Sequence, residues 1–80
     1  MPSESFMATL SAEVRARRTS LSLSQQDLSD LAGVSERFVR FVEKGKATVQ
    51  LEPLLKVLAT LGLELTVRAA GGATPPVATK

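Results

Sequence analysis

Cysteine and histidine are both absent from this sequence of 80 residues. Their absence excludes disulfide bonds, thiol nucleophiles, the common zinc sites and imidazole acid–base catalysis. No apolar run approaches the roughly 18 residues that a membrane-spanning helix requires, and no signal peptide is recognisable. We therefore expect a cytoplasmic protein that holds no metal or other cofactor and does not associate with a membrane.

The sequence also offers little for enzyme catalysis. Its eight acidic residues form no cluster, and it contains no glycine-rich phosphate loop. With 44% apolar side chains, the chain is large enough for one small domain and too small for two. We expect a binding protein rather than an enzyme.

Positive charge is concentrated in the middle of the chain, although the formal net charge is only +2. Between residues 13 and 46, seven basic side chains stand against five acidic ones, and outside this window three of each sign cancel. The basic residues of the window are Arg15, Arg17, Arg18, Arg37, Arg40, Lys44 and Lys46. This distribution indicates a polyanionic partner, but charge alone fits an ordinary solvated surface as well.

Apolar periodicity predicts the first helix over residues 6–18. Its apolar side chains recur at every fourth position, namely Phe6, Leu10 and Val14. Ser5 precedes them as the expected N-cap. The first five residues are then expected to form a flexible N-terminus.

Two short helices separated by a glycine turn are predicted next. Ser24 caps the second helix, with Asp27 in the capping-box position. Gly33 ends it in the left-handed conformation, and Val34 fills the corner. The inward-facing residues of this helix are expected to be Leu28, Leu31 and Ala32. Ser35 caps the third helix, which runs to about Lys44.

The fourth helix is predicted to begin at Pro53, because proline suits the first helical position and keeps Glu52 out of the helix. Its buried residues are expected to be Leu54, Leu55, Leu58 and Leu61. Gly62 ends it. Residues 6–62 therefore form the expected helical domain.

The segment "LELTVR", at the start of residues 63–69, alternates apolar and polar side chains with the period of a β-strand. A single strand leaves its backbone groups unpaired, so we expect it to pair with the same strand of a second copy. In an antiparallel register centred on Thr66, Glu64 lies opposite Arg68 of the second copy. The expected dimer interface is Leu63, Leu65, Thr66 and Val67. Residues 70–80, rich in glycine and proline, are expected to be disordered.

Two helices joined by a tight turn inside a small bundle form a helix-turn-helix, whose second helix enters the DNA major groove. The stretch "LSLSQQDLSDLAGVSERFVRFVEKGK", residues 21–46, resembles the Cro and repressor type of helix-turn-helix, the Xre family. The shared pattern includes the helix 2 glutamine, "GVS" and "E-x-G". Ser29 departs from it, because alanine is usual there, and Phe41 is larger and more apolar than the residues common at its position.

The resemblance implies roles for individual residues. The base-reading positions would be Ser35, Glu36, Arg37, Arg40 and Phe41. Arginine can bind guanine, glutamate can accept from cytosine, and a phenyl ring can contact a thymine methyl. Phe41 is equally compatible with a partly exposed packing role, whereas Phe38 is expected to pack inward.

A second set of residues is expected to contact the DNA backbone. Gln25 matches a phosphate-binding glutamine of the family, beside the free N–H groups at a helix start. Four basic residues are placed to reach phosphates or simply to be solvated: Arg15, Arg17, Lys44 and Lys46. By resemblance, Arg18 and Glu43 form an internal salt bridge that orients the third helix.

The continuation "GKATVQLEPLLKVLATLGLEL", residues 45–65, is similar to the HipB-like antitoxin branch of the family. The implied fold is an all-α, lambda-repressor-like domain of four to five helices with one C-terminal dimerising strand. The implied protein is a homodimeric repressor that binds a palindromic operator on double-stranded DNA. It would also bind a HipA-like kinase toxin. The alternative is a stand-alone Xre-type repressor of phage or housekeeping genes with no toxin partner.

Overall fold

The structure is a computed structural model that describes residues 3–46, 48–67 and 69. Within these residues the chain forms four helices and no strand. The helices are α1 (Ser3–Ser20), α2 (Gln25–Ala32), α3 (Glu36–Glu43) and α4 (Leu51–Thr60). None of these four helices combines the length and the apolar character needed to cross a membrane. The expected all-helical domain is thus confirmed, whereas the dimerising strand stays a prediction.

Helix α1 begins at Ser3, so the expectation that Ser5 caps it is wrong. Ser5 lies within the first turns, where its carbonyl accepts a hydrogen bond from Thr9 Oγ1 at 3.2 Å. Leu10 and Val14 are buried as expected, but the first residue of the apolar stripe was placed one position too early, because Phe6 is 37% exposed and Met7 is buried in its place. Met7 lies three and seven residues before Leu10 and Val14, the spacing of one helix face.

The predicted capping box at the start of α2 is confirmed. Ser24 Oγ accepts from the backbone N–H of Asp27 at 2.9 Å, and the Asp27 carboxylate accepts from the backbone N–H of Ser24 at 3.0 Å. Hydrogen bonding with Ser24 lowers the pKa of the Asp27 carboxyl, and the bond from the Ser24 backbone contributes more than the interaction with the Ser24 side chain. Local sequence therefore determines where this helix begins.

The inward face of α2 differs from the predicted one at a single position. Leu28 and Ala32 are buried as expected, but Leu31 is 65% exposed and Ser29 is buried instead. Ser29 satisfies its buried hydroxyl locally, by donating to the carbonyl of Gln26 at 2.8 Å. The inward face of α2 therefore accommodates a serine whose hydroxyl needs no partner from another helix.

Helix α4 begins at Leu51 with Gln50 as N-cap, so Glu52 lies inside the helix and Pro53 is its third residue. The prediction was wrong because proline is tolerated anywhere in the first turn, whose N–H groups have no intrahelical acceptor. On the inner face, Val57 is fully buried and Leu55 is exposed, contrary to expectation.

The four helices enclose one apolar core. Its buried members are Met7, Leu10, Val14, Leu28, Ala32, Val39, Val42, Leu54, Val57, Leu58 and Leu61. Helix α3 packs against α1 and α2, and α2 packs against α4. Helix α3 has one face in the core, where Val39, Val42 and Glu43 are buried, and its other face is in solvent.

Gly62, with φ of 74°, redirects the chain after α4, and the N–H of Leu63 donates to the carbonyl of Leu58 at 2.8 Å. In the following segment Leu63 and Leu65 pack against the core, while Glu64, Thr66 and Val67 are exposed. The predicted tail, residues 70–80, lies outside the described residues, as does Arg68.

Candidate nucleic-acid interface

The turn between α2 and α3 sets the angle at which α3 leaves the bundle. Gly33 adopts φ 74° and ψ 33°, the left-handed conformation that the sequence predicted. The N–H groups of Gly33 and Val34 both donate to the carbonyl of Ser29, at 2.9 and 3.1 Å. Ser35 then caps α3 by accepting from the N–H of Phe38 at 3.0 Å. Short-range hydrogen bonds thus hold both sides of this tight turn.

The inner face of α3 fixes the helix to the bundle. Val39 and Val42 are fully buried, and Glu43 is buried beside them. Phe38 is half-buried and packs against the core, as expected. With these residues held inside, the remaining side chains of α3 point toward solvent.

The outer face of α3 carries the five residues expected to read bases. Ser35, Arg37, Arg40 and Phe41 are exposed, and Glu36 is half-buried. Phe41 leaves 36% of its surface exposed, so part of its ring is available for contact. The structure therefore brings these side chains together on one solvent-facing surface, which we call the outer surface of α3.

Two members of the outer surface of α3 are paired with each other. Arg40 Nη1 lies 2.9 Å from Glu36 Oε2, one helical turn away. Both side chains are substantially exposed, at 48% and 35% respectively, so the pair contributes little to stability. Arg37 stands outside this pair.

Behind this surface, Arg18 and Glu43 form the expected salt bridge through two contacts. Arg18 Nε donates to Glu43 Oε2 at 2.6 Å, and Nη2 donates to Oε1 at 3.0 Å. Arg18 also donates to the carbonyl of Leu23 at 2.9 Å, in the loop before α2. The hydrogen bond that Arg18 donates to the Glu43 carboxylate raises the pKa of the Arg18 guanidinium. The pair thus connects the ends of α1 and α3 to the start of α2.

Gln25, the first residue of α2, joins the same network. Its side-chain Nε2 donates to Glu43 Oε1 at 3.1 Å. Gln25 was expected to bind a phosphate at the start of α2, where N–H groups remain unpaired. The structure places its half-buried amide at that helix start, but it also gives the amide an internal partner.

The basic residues expected near phosphates fall into two groups. Arg15 and Arg17 use guanidinium groups to bind backbone carbonyls at helix ends: Arg15 Nη1 donates to Glu43 at 2.6 Å, and Arg17 Nε donates to Leu61 at 2.7 Å. Lys44 and Lys46 are exposed beside the end of α3. The two exposed lysines follow α3 directly in the sequence, whereas both arginines already donate to backbone carbonyls of this chain.

Sequence reasoning missed these carbonyl contacts and the Gln25–Glu43 bond. They join residues separated by 28, 44 and 18 positions, so no local sequence pattern predicts them. The available signal for the carbonyl contacts was general: α3 and α4 end in carbonyls without intrahelical donors, and arginine is a side chain that can bind them.

Together, the left-handed glycine turn, the buried inner face and the exposed outer face of α3 define a helix-turn-helix domain. The chain belongs to the helix-turn-helix family HTH_3, whose model matches residues 14–67.

Two relatives agree with this assignment. The "Uncharacterized HTH-type transcriptional regulator y4mF" of Sinorhizobium fredii is 41% identical over 64 residues, which cover 80% of this chain and 84% of that protein. An "Uncharacterized HTH-type transcriptional regulator" of Haemophilus influenzae is 42% identical over 55 residues, covering 69% of this chain and 56% of that protein. The family and these names indicate a DNA-binding regulator rather than an enzyme.

Proposed function

We propose that this chain is a cytoplasmic transcriptional repressor that binds a palindromic DNA operator as a homodimer, with α3 in the major groove. The observation that carries the proposal is the division of α3 into two faces. Val39, Val42 and Glu43 hold the helix in the bundle, while the outer surface of α3 presents charged, hydroxyl and aromatic groups to solvent. Base edges are read by these groups.

The proposal assigns separate tasks to the side chains of α3. Arg37 and Arg40 are long enough to bind guanine O6 and N7, and the ring of Phe41 suits a thymine methyl. Glu36 would accept from cytosine, and Ser35 keeps its O–H to donate because its oxygen accepts the helix cap. Lys44 and Lys46 supply charge for phosphates at the end of the helix.

Dimerisation is proposed to occur through residues 63–67. Val67 is 96% exposed, and Leu63 and Leu65 line an open groove of about 250 Å³ beside Phe6 and Leu58. Burying Val67 and the apolar lining of this groove against a second copy would be favourable. Two copies also provide the symmetry that places recognition helices in half-sites about 34 Å apart.

The finer proposal is that the repressor is the antitoxin of a HipBA-like operon and binds a HipA-like kinase toxin. Its support is the resemblance of residues 45–65 to the HipB-like branch. The alternative, a stand-alone Xre-type repressor, needs only the helix-turn-helix. Co-expression with the neighbouring gene separates them, because an antitoxin co-purifies with its toxin at fixed stoichiometry and a stand-alone repressor purifies only with itself.

The central experiment is footprinting on the DNA upstream of the gene, combined with light scattering of the purified protein. We expect a dimer that protects two symmetric half-sites. Leu65→Pro should give monomers and abolish protection, whereas the matched control Leu55→Ala, at an exposed leucine of α4, should preserve both. A monomeric wild-type protein that protects the operator equally well would contradict the dimer, and no protection anywhere would contradict the function.

A further inference from the structure

We propose that Glu43 orients the side-chain amide of Gln25 so that it presents an N–H group to a DNA phosphate. This makes Glu43 a positioning residue for DNA binding as well as half of a salt bridge. The inference rests on the proposed function, because it concerns how the start of α2 would hold the DNA backbone.

The chemistry of the two groups determines the orientation. An ionised carboxylate only accepts hydrogen bonds, whereas an amide donates through nitrogen and accepts through oxygen. Glu43 Oε1 lies 3.1 Å from Gln25 Nε2 and 3.0 Å from Arg18 Nη2. The opposite orientation of the amide would set its oxygen against the carboxylate. Glu43 therefore selects the orientation in which the nitrogen of Gln25 faces it.

The selected nitrogen still has a donor to offer. The Nε2 atom of Gln25 carries two N–H groups, and the bond to Glu43 uses one of them. A phosphate oxygen accepts hydrogen bonds, so it matches the second N–H group. The first turn of α2 also carries backbone N–H groups at the positive end of the helix dipole, of which Ser24 Oγ accepts that of Asp27.

The anchoring of Glu43 makes this orientation rigid. Its side chain is only 4% exposed, and Arg18 holds both of its oxygens while also bonding to Leu23, just before α2. A side chain that is already ordered loses less entropy when it binds. The salt bridge therefore prepares the phosphate contact before DNA arrives.

The experiment is a cycle of DNA affinities measured by fluorescence anisotropy on the operator duplex. Gln25→Ala should weaken binding by about tenfold per half-site, the loss expected for a hydrogen bond to a charged group. The double variant Arg18→Met/Glu43→Leu keeps the net charge and replaces the ion pair by apolar groups, which folded domains tolerate. This double variant should lose a similar factor in DNA affinity, and adding Gln25→Ala to it should reduce the affinity no further.

A control separates positioning from a general displacement of α3. Arg37→Ala should cost the same factor in the wild-type and double-variant backgrounds, because Arg37 does not contact the ion pair. The inference is overturned if the double variant binds like the wild type, or if Gln25→Ala costs as much in both backgrounds. A wild-type protein that does not bind the duplex refutes the proposed function, and the inference with it.

A second measurement, on the wild-type protein alone, tests the inference if the double variant fails to fold. In ¹⁵N-labelled wild-type protein, one side-chain amide proton of Gln25 should be protected from exchange in the free state, and the other should shift when DNA is added. Equal exchange of both protons in the free protein would refute the orienting role of Glu43.

Discussion

Replacing Arg18 by methionine tests how much the fold depends on its buried ion pair. Methionine keeps an apolar stem of similar length but removes the guanidinium from a side chain that is 14% exposed. Glu43, at 4% side-chain exposure, would then be a buried carboxylate without its charge partner, and the carbonyl of Leu23 would lose a donor.

The expected loss is large for a domain of this size. Removing one partner of a buried pair costs about 3–5 kcal/mol, because the other charge stays desolvated. The whole free energy of unfolding of an 80-residue domain is about 4–12 kcal/mol. The single variant should therefore lose about a quarter or more of this stability, with Tm lowered by at least about 12 °C.

Urea and thermal unfolding followed by circular dichroism provide the measurement. Arg40→Met is the matched control, since Arg40 pairs with Glu36 on the exposed outer surface of α3 and should lose no more than about 0.5 kcal/mol. The double variant Arg18→Met/Glu43→Leu should recover most of the stability. If Arg18→Met lost as little as Arg40→Met, the buried pair would not stabilise this fold and the reasoning would be refuted.

Four further predictions concern single positions. Gly33→Ala should lower the free energy of unfolding by about 1–2 kcal/mol, because a φ of 74° is strained for an L-residue even though nothing lies within 4 Å of the added Cβ. Gly33→Asn should lower it less, and equal losses for the two variants would argue against backbone strain. Asp27→Asn should lower the free energy of unfolding at neutral pH, and this loss should shrink as the pH falls below about 4. The pKa of Asp27 is lowered in the folded state, so its contribution to stability is present above the unfolded-state pKa and is lost as the pH falls through the folded-state pKa. A loss of stability that does not depend on pH in unfolding titrations would contradict the capping assignment. Arg37→Ala should weaken operator binding by about 1–3 kcal/mol in gel shifts and relax the preference at one base pair. An equal loss of affinity on all DNA sequences would contradict a base-reading role for Arg37. Lys46→Ala should weaken binding to every sequence and reduce the salt slope by about one, whereas an unchanged slope would remove it from the phosphate contacts.

Features that depend on neighbours within four residues were predictable from the chain alone. The capping box of Ser24 and Asp27, the left-handed turn at Gly33 and the cap at Ser35 are all where the sequence placed them. Each is a backbone conformation or a bond between residues at most four positions apart, so residue type and spacing suffice to specify it.

Predictions about which side of a helix faces inward were less accurate. Leu31 and Leu55 are exposed, while Ser29 and Val57 are buried in their helices. Hydrophobicity favours a leucine inside, but the angle between packed helices decides which residues lie at the contact, and a close approach accepts serine where leucine does not fit.

The sequence by itself determined the helix-turn-helix, because its caps, its glycine and its apolar spacing are local. Only the tertiary structure decided that Glu43 receives Arg18 and Gln25, and that Arg15 and Arg17 bind carbonyls at the ends of other helices. Those partners are 18 to 44 residues apart, and their distance depends on how the helices pack around the core. Residue types state what a side chain can bind, and packing decides which group lies within its reach.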